Sequence, residues 1–185
     1  MALNYPRLDN ASGVWNIKEV TDAVLGGYWP NAGARALWMG GTGSPGFLDE
    51  IDYVTISSTG DAADFGNLIQ GRSSPGRGSG TGNFTRGFMW GGYFPDAYQD
   101  EIQYVTIMTT GNAADFGDLS VARQMCGGSS NSTRAIAFGG AASGHTASNV
   151  IDYIQMASVG NATDFGNTSV ARIDNVTMAS PTRYV

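Results

Sequence analysis

The chain contains one cysteine, one histidine and no apolar run near the length of about 20 residues that a membrane helix requires. Cys126, being alone, excludes a disulfide within the chain and any cysteine-rich metal site, and it reads as a small buried or half-buried side chain. His145, also alone, leaves a Ser-His-Asp arrangement a single possible base and rules out a multi-histidine metal centre. Positive charge is scarce as well: ten Lys and Arg stand against sixteen Asp and Glu, a net charge of −6. Binding a nucleic-acid backbone takes a basic face that displaces counterions, so no nucleic-acid partner is expected. No charged segment followed by an apolar stretch opens the chain, so neither a secretory signal nor membrane insertion is expected. The sequons at Asn10, Asn83, Asn131, Asn161, Asn167 and Asn175 follow from a composition rich in Asn, Ser and Thr.

Glycine is abundant, with 27 in 185 residues, and 42% of the chain is hydrophobic. That length fits one domain with a real core, and the composition points to turn-rich β structure rather than helix or disorder. The glycines are also ordered. Residues 35–72, 86–123 and 134–172 are copies of one unit. Each opens on an Arg-led apolar run, continues through a Gly-Gly doublet (Gly40-Gly41, Gly91-Gly92, Gly139-Gly140) and an Ile-x-Tyr segment (Tyr53, Tyr104, Tyr153), then an Asp-Phe-Gly, and closes on Arg72, Arg123 or Arg172. A period near 50 residues is a signature of propeller blades and other β arrays.

Each unit translates into strands. Ala36–Met39, Gly87–Trp90 and Ala135–Phe138 are short continuous apolar runs ending at glycine, the pattern of a strand covered on both faces inside a stack of sheets. Ile51–Ile56, Ile102–Ile107 and Ile151–Met156 carry apolar groups on both faces under alternation, with Asp52, Gln103 and Asp152 at one polar position expected at a solvated rim. The following segments, typified by Thr109–Gly117, are rich in residues that supply positive φ and Asx turns, so the chain reverses there into a further strand. Three or four short strands per unit result, and such units stack face to face as propeller blades.

At these residues the chain resembles two known groups. A Gly-Gly doublet followed 12 or 13 residues later by Tyr, and 12 beyond that by an aromatic, resembles the kelch repeat of β-propellers, with Phe65, Phe116 and Phe165 where kelch repeats carry Trp. The string from Ile102 to Arg123 is similar to repeats of bacteriophage virion proteins of the tail-fibre or tail-associated type. The resemblance implies a structural or adhesive component of a phage particle, located in the virion. Such a chain would be a homo-oligomer contacting other virion proteins and a host-surface glycan or protein. The alternative from another class is a free-standing carbohydrate-binding propeller module.

Residues 1–34 stand outside the repeat. Asn16 offers a helix N-cap with Glu19 three residues on, Ile17, Val20 and Val24 share one face, and Gly26-Gly27 ends the segment. With Trp15 and Trp29 flanking it, this short amphipathic arm is expected either to cap its own domain or to anchor the subunit to a neighbour. Between the first two repeats, residues 73–82 read as a glycine-rich surface connection, and no Gly-Lys-Ser/Thr follows to make it a phosphate loop.

The loops after the doublets differ from copy to copy while the framework is constant, which is how recognition surfaces are usually built. Phe47, Tyr93, Phe94, Tyr98 and His145 lie in these loops and are the candidate receptor or partner contacts, against the alternative that they pack on the next blade. Catalysis is not expected. A copper-radical oxidase on a kelch-like scaffold needs more than one histidine ligand. The paired acids Asp49-Glu50 and Asp100-Glu101 recur at one structural position, which reads as a rim rather than glycosidase machinery. Asp61 with Asp64, Asn112 with Asp115 and Asn161 with Asp164 supply too few oxygens for calcium and read as Asx turns. No metal or cofactor is expected.

The fold expected is all-β: three kelch-like repeats of about 50 residues, propeller-like or arranged as a pseudo-three-fold prism, with a short helical N-terminal arm. Because propellers typically have about four to eight blades, three repeats call for completion. Residues 173–185, in which Ile173–Met178 mimics Ile51–Ile56, are expected to form a closing strand within the chain or across to a second copy.

Overall fold

The structure, a computed structural model, describes Lys18 and residues 35–44, 46–72 and 80–174. It is almost entirely β, and each repeat has become one antiparallel sheet. The first sheet contains β1 (Arg35–Thr42), β2 (Phe47–Thr55) and β3 (Ala63–Asn67), in that order. The second contains β4 (Gly80–Gly82), β5 (Arg86–Tyr93), β6 (Tyr98–Thr106) and β7 (Ala114–Asp118), again in sequence order. The third runs β8 (Gly127–Ser130), β9 (Arg134–Phe138), β11 (Thr146–Gln155) and β12 (Thr163–Arg172), with the short β10 (Ala141–Ala142) pairing to the start of β11. Register is conserved through the copies: Met39 lies opposite Ile51, Trp90 opposite Ile102 and Phe138 opposite Ile151.

The doublets close each unit. In the first two sheets the register shifts across the doublet, between Met39 and Gly41 and between Trp90 and Gly92. The leading glycine is left-handed in all three, with φ of +62°, +49° and +61° at Gly40, Gly91 and Gly139. The kink lets the second glycine donate to the carbonyl of the closing arginine: Gly41 to Arg72 at 3.1 Å, Gly92 to Arg123 at 3.0 Å and Gly140 to Arg172 at 2.8 Å. Glycine is used here because backbone meets backbone at a φ that a Cβ disfavours.

The sheets then stack. Leu37, Met39, Ile51, Tyr53, Phe65 and Leu68 of the first repeat pack on Met89 and Val105 of the second. The opposite face of the second sheet presents Phe88, Trp90, Ile102, Phe116 and Leu119 to Ala135, Ala137, Ile154 and Met156 of the third. Alternation along β5 sends Met89 into one junction and Phe88 and Trp90 into the other, so the middle strand is covered on both faces as its apolar run predicts. The first strand differs: Trp38 is 56% exposed because nothing among the described residues packs on the outer face of the first sheet.

The polar position expected at a rim needs correction at two of its three copies. Gln103 and Asp152 are fully buried, because each reaches back across a junction to the preceding repeat, and only Asp52 is exposed. Gln103 Oε1 accepts from the Ile69 amide at 2.9 Å, and Asp152 Oδ2 accepts from the equivalent Ser120 amide at 3.1 Å.

Neither a closed ring nor a closed prism is completed among the described residues, since the two apolar clusters join first sheet to second and second to third. Lys18 is helical and exposed; the remainder of the amphipathic arm, with Trp15, Ile17, Val20, Val24 and Trp29, lies outside the described residues. So does the expected closing strand beyond Asp174. No described helix is long and apolar enough to cross a membrane.

Candidate functional site

Strand ends place the three unlike loops on the same edge of the stack. β1 to β2, β5 to β6 and β9 to β11 all turn there, so loops separated by about 50 residues in sequence become neighbours in space. Phe47 of the first repeat meets Phe94 of the second edge to face at 5.6 Å. Tyr93 and Tyr98, facing each other at the ends of β5 and β6, make a second edge-to-face pair at 5.4 Å. The Tyr98 hydroxyl then accepts from the His145 amide in the third repeat at 3.0 Å. The five loop residues singled out from sequence therefore form a row of two contact groups, Phe47 with Phe94 and Tyr93 with Tyr98 and His145, joined through the Tyr93-Phe94 peptide and drawing on all three sheets. Some of their surface is spent on packing against the neighbouring repeat, and the rest faces outward, with His145 exposed and the two tyrosines half-buried.

Beside the row, between the second and third repeats, opens a cleft of about 820 Å³. Tyr93, Ala97, Tyr98 and Met125 give it apolar walls, and Asp96, Gln124 and His145 set polar groups around them. Met125 and His145 both hold left-handed backbone, at φ of +57° and +59°. Non-glycine residues adopt this conformation at a cost and concentrate at functional positions. Met125 and Gln124 carry no signal in the sequence, because they follow the closing Arg123 and enter the cleft only once the third sheet folds against the second. Beneath them Cys126 is fully buried; burial pushes its thiol pKa up, with the Arg123 guanidinium opposing. That thiol is inert by position.

The remaining candidates are structural. Asp64, Asp115 and Asp164 each accept from the amide two residues on, at 3.0, 3.0 and 2.9 Å, which is the Asx turn expected of them. Of the paired acids, Asp100 is exposed, whereas Glu101 is half-buried and forms an ion pair with Arg72 of the preceding repeat. Among the described residues no cluster of three or more His, Cys, Asp or Glu side chains is arranged to hold a metal ion.

No family model matches this chain, and no curated protein matches it in sequence.

Proposed function

We propose that the chain is a structural and adhesive component of a bacteriophage particle, resident in the virion as a tail, fibre or decoration protein. The aromatic row from Phe47 to His145 is its contact face, and it has no catalytic role. The observation that carries this reading is the gathering of three unlike loops onto one edge of a constant repeated scaffold. Tyrosine and phenylalanine give such a face a large contact area at small cost in rotamer freedom. The likeness of the Ile102–Arg123 string to phage virion repeats supplies the setting. In this reading the N-terminal arm attaches the subunit to other virion proteins, and the row meets a glycan or protein of the host surface.

The cleft beside the row favours one alternative, a free-standing carbohydrate-binding module, since aromatic walls with Asp96, Gln124 and His145 at the margin suit a sugar ring. One experiment separates the two. Particles purified from a culture that produces the chain are taken apart and their proteins counted by mass spectrometry. A fixed number of copies per particle is the expected result. Recovery of the chain only in the soluble fraction, with binding to a glycan array that Tyr98→Ala abolishes, would replace the virion reading with the module.

A further inference from the structure

The two junctions inside the chain are built by one set of contacts. Across the first, Gly111 donates to the Phe65 carbonyl at 2.7 Å, Ala113 to the Asn67 carbonyl at 2.8 Å, and Asn112 Oδ1 accepts from the Asn67 amide at 3.0 Å. Across the second, Gly160 donates to Phe116 at 2.7 Å, Ala162 to Asp118 at 2.7 Å, and Asn161 Oδ1 accepts from Asp118 at 3.1 Å. The opening arginines repeat as well. Arg35 lies over the Tyr53 ring at 4.5 Å and donates to the Ile107 carbonyl of the next repeat, and Arg86 lies over Tyr104 at 4.7 Å and donates to Met156.

Each end of the stack exposes one half of this same junction. On the outer face of the third sheet, Arg134 lies over Tyr153 at 5.0 Å, and Phe165, the counterpart of Phe65 and Phe116, is 58% exposed rather than buried. A groove of about 860 Å³ is open there, lined by Ile136, Phe138, Ile151 and Phe165. A Cβ on Gly66 or Gly117 would run into the next repeat's turn at 2.5 Å, yet at the equivalent Gly166 the space is empty. The outer face of the first sheet carries the complementary half. Trp38 and Ile56 there are 56% and 66% exposed, and they stand where Met89 and Ile107, or Ala137 and Met156, fill the internal junctions. Asp52 occupies the position from which Gln103 and Asp152 accept the amides of Ile69 and Ser120. Asp61 occupies that of Asn112 and Asn161.

We propose that these two faces bind each other between copies of the chain, so that the third sheet of one copy receives the first sheet of the next, and two copies close a six-sheet ring. The contact is head to tail, with Trp38 and Ile56 of one copy entering the groove beside Phe165 of the other. Size is compensated as well. Ile136 and Thr168 stand where the second sheet has Phe88 and Leu119, leaving room for Trp38 where the internal junction accommodates only Ala137. Rings of stacked sheets typically contain about four to eight blades, so with three sheets per chain only two chains fit.

Light scattering on the full chain at micromolar concentration is expected to give twice its 19.4 kDa mass. Trp38→Asp and Phe165→Asp each alter one exposed face and should each give a folded monomer, checked by circular dichroism, with Ile56→Asp as a second variant of the first face. Mixing the Trp38→Asp and Phe165→Asp chains should restore a dimer, because each retains the half that the other lacks. A monomeric wild type would overturn the proposal and leave the faces to another part of the chain or another protein. A dimer that survives either single variant, or a mixture that stays monomeric, would overturn the head-to-tail contact. Assemblies larger than two would overturn the closed ring.

Discussion

Gly91 stands at φ +49° where a Cβ would lie 2.2 Å from the Arg123 carbonyl oxygen and 2.7 Å from that of Gln99. Both obstacles are backbone, so neither can swing aside. Gly80, in the edge strand β4, has nothing nearer such a Cβ than the Phe88 carbonyl oxygen at 3.8 Å. Gly91→Ala should therefore destabilise the fold by at least about 2 kcal/mol, and Gly80→Ala should stay within about 0.5 kcal/mol. Chemical denaturation of the two variants checks this, and equal midpoints would refute the close-approach reading. The special standing of the doublets was legible in the sequence because they recur. Which glycine of the pair is crowded was not, because the obstruction comes from Gln99 and Arg123, placed beside Gly91 only when the unit closes on itself.

At the level of strands and junctions, the closing arginines tie one sheet to the next. Arg123 meets Asp152 at 2.9 Å with both side chains fully buried, and Arg72 meets Glu101, whose side chain keeps 23% of its exposure. Burial pulls the Arg72 guanidinium pKa down to about 10, with Asp100 opposing, so it stays charged at neutral pH. Removing one partner of a buried pair strands the other charge, at a cost of about 3–5 kcal/mol, whereas replacing both by apolar groups is often neutral. Asp152→Ala should thus be costly, Glu101→Ala cheaper because water still reaches that site, and the double variant Arg123→Met, Asp152→Leu less costly than Asp152→Ala but short of wild type, because the Ser120 amide still loses its acceptor. Denaturation midpoints of the three give the ordering, and a double variant as unstable as Asp152→Ala would count against the pair as the cause. Alternation and the repeated apolar runs made the strands readable from sequence. The rim reading of Gln103 and Asp152 failed because a polar residue in an apolar strand looks solvent-facing unless its partner is known. Here that partner lies 29 to 34 residues back, in the previous unit. The candidate contact residues Phe47, Tyr93, Phe94, Tyr98 and His145 could be named one by one from their loops, but their gathering along one edge is a property of stacking.

For the whole molecule, the stack is quasi-one-dimensional: each sheet touches its sequence neighbours, and stability is nearly a sum of sheets and junctions. Both apolar clusters and the junction contacts lie within residues 35–174. The N-terminal arm, with Trp15 and Trp29 flanking an apolar stripe of Ile17, Val20 and Val24 in the sequence, lies outside the described residues. Its amphipathic pattern still calls for a surface to dock on, since a helix of about ten residues is marginal in water alone. If that surface belongs to another subunit, deleting residues 1–30 should leave the thermal melt and β-type circular dichroism of the three-sheet stack unchanged while abolishing incorporation of the chain into particles. If the surface is the first sheet, the deletion should lower the melting temperature and uncover apolar area, measurable as new dye binding, before any question of assembly arises. The anchoring reading requires the first pattern. A truncated chain that unfolds would make the arm a cap and leave the proposed attachment to the aromatic row.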